Sequence, residues 1–176
     1  MAIDESLLFI PINIAVLTVS DTRTPENDTS GDILAARVTG AGHNLAARRI
    51  VKDDAALLAA QFEAWIDDPL VDAIVSTGGT GLTGRDVTPE ALAMIKGARD
   101  IPGFGELFRW LSFKSIGTST VQSRACAVVA RGTYIFALPG SNGAVRDGWD
   151  GILAEQLDSR NRPCNFVELM PRLREA

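Results

Sequence analysis

The sequence has little of what would tie it to the cell exterior, a membrane or nucleic acid. It holds two cysteines, Cys126 and Cys164, far apart and without ligand-like spacing. That excludes a disulfide scaffold and predicts a reduced cytosolic setting. His43 is the single histidine, expected at the surface or satisfied within a loop rather than on a metal. There is no basic excess: 17 Lys and Arg against 22 Asp and Glu give a net charge of −5, the wrong balance for a general nucleic-acid binder. An anionic ligand must therefore be met by local arginines, backbone donors or a metal ion. No apolar run is long enough for a bilayer. Leu7 to Val19 is too short, Pro11 and Asn13 interrupt it, and Asp4 and Glu5 stand where a signal peptide would be basic. The reading is a cytoplasmic protein that does not enter membranes.

What is there fits one domain spanning residues 1–176. At 46% hydrophobic content, a chain of this length buries roughly 70% of its unfolded surface. No repeat, linker or low-complexity segment divides it. A first strand, Ile14 to Val19, runs into the polar cluster Ser20-Asp21-Thr22-Arg23. A helix from about Ser30 to Ala41 follows, ended by Gly40 and Gly42. Leu45 to Val51 reads as the second strand, and Asp53 or Asp54 caps a helix to about Asp67 with a stripe of Leu57, Leu58, Phe62, Trp65 and Ile66. The third strand, Ala73 to Val75, precedes a helix from Pro89 to about Lys96. The βαβαβα order predicts a parallel, doubly wound sheet with right-handed crossovers.

Beyond Ile101 the rhythm changes. Phe104, Leu107, Phe108 and Leu111 recur at helical spacing, with Trp110 and Phe113 nearby; core and subunit interface are the two readings. Ala127 to Val129 and Tyr134 to Leu138 flank Gly132-Thr133, a connection suited to a type II′ hairpin. A helix after Ser141 carries Val145, Trp149, Ile152, Leu153 and Gln156 on one side. The tail from Ser159, with Pro163 and Pro171, reads as irregular.

The most informative stretch is Val71 to Glu90. A strand buried on both faces empties into Thr77-Gly78-Gly79-Thr80-Gly81, whose glycines permit φ > 0 and close backbone approach. Thr88 then suits an N-cap, Pro89 the first helical position and Glu90 the positive dipole end. Strand, glycine loop and helix start together predict a phosphate site built from backbone N–H groups. Two familiar patterns fail here. Gly79-x-Gly81-x-x-Gly84 has dinucleotide spacing, but the helix begins too late at Thr88. Gly79-x-x-x-x-Gly84-Arg85-Asp86 has P-loop spacing, but Arg and Asp replace the Lys and Ser/Thr.

This stretch, with Asp86-Val87-Thr88-Pro89-Glu90, resembles the MoaB/Mog family of molybdenum cofactor biosynthesis proteins. Val19-Ser20-Asp21, Asp28-Thr29-Ser30-Gly31, Pro102-Gly103-Phe104-Gly105-Glu106, Ser123-Arg124-Ala125 and Leu138-Pro139-Gly140-Ser141 resemble its other segments, in the same order. The tail, Asp158 through Arg162-Pro163-Cys164-Asn165-Phe166, is similar to bacterial MoaB. Each motif alone is weak; the ordered set, over about residues 10 to 167, is specific.

The resemblance implies a three-layer α/β/α fold with a mostly parallel sheet and one antiparallel hairpin strand. It implies assembly as a trimer or dimer of trimers, binding of molybdopterin, and work alongside other cofactor-biosynthesis proteins. Active members join AMP from Mg-ATP to the terminal phosphate of the pterin. Carried onto this chain, that gives Asp53 and Asp86 as catalytic, with Asp86 on Mg²⁺ and Asp53 its second candidate ligand. It gives Ser20, Asp21, Thr77, Gly78, Gly79, Thr80, Gly81, Glu106, Ser123, Pro139, Gly140 and Ser141 as substrate- and nucleotide-binding. A carboxylate suits a hard cation, and phosphoryl transfer asks for positioning and charge neutralisation. Arg85, Arg109 and Arg124 are the candidates to face phosphate. The resemblance equally allows a molybdopterin-binding or scaffolding protein without turnover. Ser141-Asn142-Gly143-Ala144 lacks the proline many relatives place after the serine.

Overall fold

The computed structural model describes residues 3–173. Its centre is a six-stranded sheet in the order β2-β1-β3-β6-β5-β4. Strands β1 (Asn13–Val19), β2 (Asn44–Val51), β3 (Ala73–Thr77) and β6 (Thr133–Leu138) are mutually parallel. Strands β5 (Cys126–Ala130) and β4 (Arg99–Asp100) form the antiparallel edge. Every residue of β3 and β6 is buried, which is why both read as unbroken apolar runs.

Two cores form, one on each sheet face. Val16, Val75, Tyr134 and Phe136 pack against α1 (Thr29–Gly40), α4 (Pro102–Ile116) and α5 (Asn142–Gly148). Leu17, Ile74, Ile135 and Ala137 pack against α2 (Ala55–Ile66) and α3 (Thr88–Ala93). Alternate residues of one strand thus serve opposite layers, as the period of a strand dictates. Helix α5 continues through a π-helical turn, Trp149–Leu153, into a last turn, α6 (Ala154–Gln156). The turn keeps Val145, Trp149, Ile152 and Leu153 all facing inward.

Several expectations need correction. The hairpin turn is Arg131-Gly132, one residue earlier than predicted. Both residues have positive φ, 50° and 95°, the type I′ signature rather than type II′. The antiparallel edge has two strands, because Arg99 and Asp100 pair with Val129 and Val128. Leu57 is 53% exposed and stands outside the α2 stripe. Helix α3 stops at Ala93. The tail contains α7 (Phe166–Leu169), capped by the Asn165 side chain on Glu168 N–H at 2.8 Å.

The α4 aromatics divide. Phe104 and Phe108 enter the core, while Trp110 and Phe113 are 61% and 54% exposed. His43 is buried and satisfied: its Nδ1 accepts the Ile12 N–H at 3.3 Å. Both cysteines are free, and burial pushes the Cys126 thiol up to about 11. Among the described residues no helix is long and apolar enough to cross a membrane.

Candidate functional site

Four parallel strands end on one edge of the sheet, and each delivers a predicted site segment there. Ser20-Asp21 follows β1, Asp53 follows β2, Thr77 to Gly81 closes β3, and Pro139 to Ser141 follows β6. This is where open α/β sheets bind ligands.

The glycine loop locks onto its neighbours. Gly78, at φ +107°, donates its N–H to the Leu138 carbonyl at 2.9 Å, and a Cβ there would collide with the Val19 carbonyl. A Cβ on Gly140 would lie 3.3 Å from Gly78 Cα, so the two turns need glycine to meet. The buried Thr77 hydroxyl joins them by donating to the Pro139 carbonyl at 3.1 Å. Thr77 therefore braces the site from beneath.

Thr88 does not cap α3. Its hydroxyl donates to the Gly78 carbonyl and its N–H to the Gly79 carbonyl, both at 2.9 Å. The six-residue α3 thus holds the loop down and does not present its own end to an anion. Among the described residues, the Gly79 and Thr80 N–H groups have no protein acceptor.

The choice between Asp53 and Asp54 is resolved. Asp54 is the N-cap of α2, accepting the Leu57 N–H at 2.9 Å. Asp53 is left for other work. A Cβ on Gly79 would stand 3.4 Å from its Oδ1, so the carboxylate faces the loop. Burial raises its pKa, and the charges of Asp21 and Asp86 add to that. Asp21 shifts the other way, because Arg85 donates to it through Nε at 3.0 Å and also through Nη2. For Asp86 burial acts upward, but the Thr83 hydroxyl and N–H outweigh it, at 2.6 and 2.9 Å from Oδ2, and the carboxyl sits below its ordinary value. Among the described residues no three His, Cys, Asp or Glu side chains converge as a metal-ligand set. Two carboxylates beside the glycine loop still fit Mg²⁺, which commonly takes one or two from the protein and the rest from phosphate and water.

The three candidate arginines separate as well. Arg124 holds the loop: Nε donates to the Gly81 carbonyl at 2.6 Å, Nη2 to that of Asp86 at 2.5 Å, and Nη1 pairs with Glu90. Arg109 is occupied by the Ala125 and Ser123 carbonyls at 3.1 and 3.4 Å. Arg85 is exposed and points across the site at Asp21.

Two cavities flank this row. One, about 550 Å³, lies between the Ser20–Pro25 loop and β2 and is lined by Ser20, Asp21, Arg23, Arg48, Arg49 and Lys52. There the Ser20 hydroxyl also accepts the Thr22 and Arg23 N–H groups at 3.2 and 3.1 Å. The other, about 350 Å³, is walled by Thr80, Gly81, Phe108, Ser112, Ser123, Pro139 and Ser141; Ser141 doubles as the α5 N-cap, 3.2 Å from the Ala144 N–H. Glu106 lines neither. It stands in a third hollow between α3 and α4, with Asp100 and Arg109. Sequence reasoning missed Arg48, Lys52 and Ser112. The first two were signalled by the spacing Arg48-Ile50-Lys52 along and just past β2, where residues two apart share a face.

Known proteins resemble this chain in sequence and fold. The family described as "Probable molybdopterin binding domain" matches residues 15–159. Molybdenum cofactor biosynthesis protein B of Escherichia coli strain K12 is 52% identical over 158 residues, covering 90% of this chain and 92% of that protein. Its Bacillus subtilis strain 168 counterpart is 42% identical over 147 residues, covering 83% and 86%. A crystal structure of molybdenum cofactor biosynthesis protein B matches with a TM-score of 0.84 at 35% identity, covering 95% of this chain and 98% of that one. The tungsten cofactor synthesizing protein MoaB from Pyrococcus furiosus matches at 0.72 and 32%, covering 94% and 98%. With its fold, its ordered motifs and its relatives in agreement, the chain belongs to the MoaB/Mog family of molybdenum cofactor biosynthesis proteins.

Proposed function

We propose that this chain transfers AMP from ATP to the terminal phosphate of molybdopterin. A phosphate oxygen of the pterin attacks the α-phosphorus of ATP, a new O–P bond forms, and the bond to the β-phosphate bridging oxygen breaks. Pyrophosphate leaves with the electron pair. One observation carries the reading: Asp53, released from capping by Asp54, faces the glycine loop, in a row of segments flanked by a cationic cavity and a largely apolar one.

In this reading Arg23 and Lys52 meet the nucleotide phosphates, and the Gly79 and Thr80 N–H groups orient oxygens at the reacting end. Arg85, poised on Asp21, adds positive charge where the phosphates crowd. Asp86, through Oδ1, and Asp53 would hold Mg²⁺, which supplies charge neutralisation when bound. Incubating the protein with molybdopterin and Mg-ATP, then measuring pyrophosphate and adenylylated pterin, tests the proposal. Product at stoichiometric excess over protein is expected; none would sink it. A second reading, molybdopterin binding at the same site without turnover, is separated from the first by the same assay.

Self-association as a trimer or dimer of trimers, in the cytoplasm, belongs to the proposal. Leu107, Trp110 and Phe113 give α4 an exposed apolar face of the kind that marks contact surfaces. Light scattering at micromolar concentration should give a mass well above 18.8 kDa; a stable monomer would refute it.

A further inference from the structure

The first stretch of chain, residues 3–12, joins neither the six-stranded sheet nor a helix and lies along the tail. An isolated antiparallel bridge links Ile3 to Asn161, and the Asp4 N–H donates to the Arg160 carbonyl at 3.0 Å. Ser159 holds the middle: its hydroxyl accepts the Ile10 N–H at 2.9 Å and donates to the Leu8 carbonyl at 3.0 Å. Leu8 and Ile10 are themselves 82% and 50% exposed, so their side chains do not anchor it. A segment held this way, by a few hydrogen bonds near solvent, is one that opens locally while the core stays closed.

Its buried anchor is where Phe9 and Ile12 meet Gly42 and His43. The Phe9 ring stands 5.1 Å from the imidazole, and a Cβ on Gly42 would lie 3.1 Å from that ring. One residue before β1, the Ile12 N–H donates to His43 Nδ1 at 3.3 Å, and His43 is 5% exposed. That bond requires the neutral ring with its proton on Nε2. A protonated ring carries N–H on both nitrogens and would meet Ile12 donor to donor.

The surroundings oppose protonation. Burial lowers the His43 pKa, and the negative charge of Asp158 acts the other way as the smaller influence. Asp158 is already claimed by Arg160, through Nε at 3.0 Å and Nη2 at 2.8 Å. Arg160 also lies 5.1 Å over the Phe9 ring. The end of α1 and the turn after it, Val38 to Ala41, bring no titratable side chain. Asp72, before β3, is engaged by the Asn13 N–H at 2.8 Å. The arm's own Asp4 and Glu5 lie within the field of Arg162 and Arg160.

We propose that residues 3–12 form an acid-released strap, with His43 as the pin that lets it go. The pin sits at the opposite end of the sheet from the glycine loop, so the proposal stands whether or not the chain transfers AMP. The sign follows from the neutral buried ring. Its contribution is complete above the unfolded imidazole value of 6.5 and is lost as pH falls through the lower folded one. Release frees the Phe9 ring and the polar groups of Ser159 to Asn161 for other contacts, so acidity sets which surface the protein shows.

The test uses the full chain and its His43→Asn variant, whose amide oxygen can accept the Ile12 N–H without titrating. His43 is the single histidine, so its ring resonances report its protonation directly. They are followed by NMR from about pH 7.5 to about pH 5, where imidazole is the side chain that ordinarily changes charge. Amide exchange of residues 3–12 and of β6, each divided by the intrinsic rate at that pH, covers the same range. In the parent we expect a ring midpoint below 6.5. Arm protection should fall by up to about tenfold per pH unit between the folded and unfolded imidazole values, while β6 stays protected. In His43→Asn the arm's protection should be level.

Arm protection that is level in the parent, or absent at about pH 7.5, overturns the inference. So does an equal fall in His43→Asn, which assigns the effect to the carboxylates of arm and tail. A midpoint at or above 6.5 shows that the fold favours the imidazolium and removes the pin. Loss of β6 protection in step with the arm makes the event global acid unfolding and refutes the strap. Should His43→Asn fail to fold, the parent decides alone, by whether its arm protection follows its own ring titration.

Discussion

Two aspartates on adjoining connections show how differently one residue type is used. Asp28, between β1 and α1, is wholly buried and answered on every side: the Thr18 hydroxyl at 2.8 Å, the Gly31 N–H at 3.0 Å and Arg48 at 2.8 Å. Burial alone would raise its pKa, but Arg48 and those donors hold it below the ordinary value. Asp53, between β2 and α2, is half-buried; burial first, then the like charges of Asp21 and Asp86, raise it, and the Asp21 N–H it accepts does not offset them. Both follow a strand and precede a helix. Partnership, not burial, separates the carboxylate that builds the fold from the one left free for a ligand.

That contrast can be broken experimentally, and the largest effect should come from Asp28. Asp28→Ala removes the α1 N-cap and leaves Arg48 facing Asp32 alone. We expect a loss of about 3 kcal/mol in urea unfolding, from one cap and one charged hydrogen-bond group. Asp53→Ala should leave the urea midpoint at or above the parent value. Equal losses in the two variants would erase the distinction.

The second effect lies in turnover. Asp86→Asn and Asp53→Asn should each lower pyrophosphate release by about 10²-fold or more, since losing a charge-stabilising group costs roughly 3 kcal/mol of barrier. Molybdopterin binding should survive. If Asp86 served only to order its loop through Thr83, the variant would turn over normally with a stability loss below about 1 kcal/mol.

The smallest effect is the pH dependence, where the two residues carry opposite signs. Asp28 is depressed in the fold, so its contribution is present above the unfolded carboxyl pKa and is lost as pH falls through the folded one. Asp53 is elevated, so its contribution is present below the unfolded pKa and is lost as pH rises through the folded one. Asp53→Asn should therefore gain on the parent at neutral pH and lose that advantage below about pH 4. Urea midpoints collected from pH 3 to pH 7 read this directly; a variant curve parallel to the parent would contradict it.

The sequence was most legible where one physical cause dominates. Apolar runs such as Tyr134 to Leu138 read as strands because layers cover both faces. The glycine loop read correctly because Gly78 and Gly79 both need positive φ. Legibility failed where a one-residue phase or a distant partner decides. Asp53 and Asp54 are equal as caps until the start of α2 is fixed. Thr88 looked like a cap because its actual partners, the Gly78 and Gly79 carbonyls, are set by the loop's path. Arg131 takes positive φ to make the turn, an unusual choice for a residue with a Cβ. Ser112 hides among the residues of α4 that face inward, where nothing in its spacing marks an unpaired hydroxyl.

Arg124 has a further consequence for how ligands arrive. It lies two residues before β5, and its side chain and N–H engage the carbonyls of Thr80, Gly81 and Asp86. With Thr88 holding Gly78 and Gly79, the carbonyl side of the loop is immobilised by elements from two places in the chain. The N–H groups of Gly79 and Thr80 are left without a protein acceptor among the described residues. The loop thus surrenders its freedom when the sheet assembles, not when a phosphate binds, and recognition escapes the entropy of ordering five glycine- and threonine-rich residues. Replacement of this one arginine would return that cost to the ligand, felt as weaker affinity without a single lost contact to it.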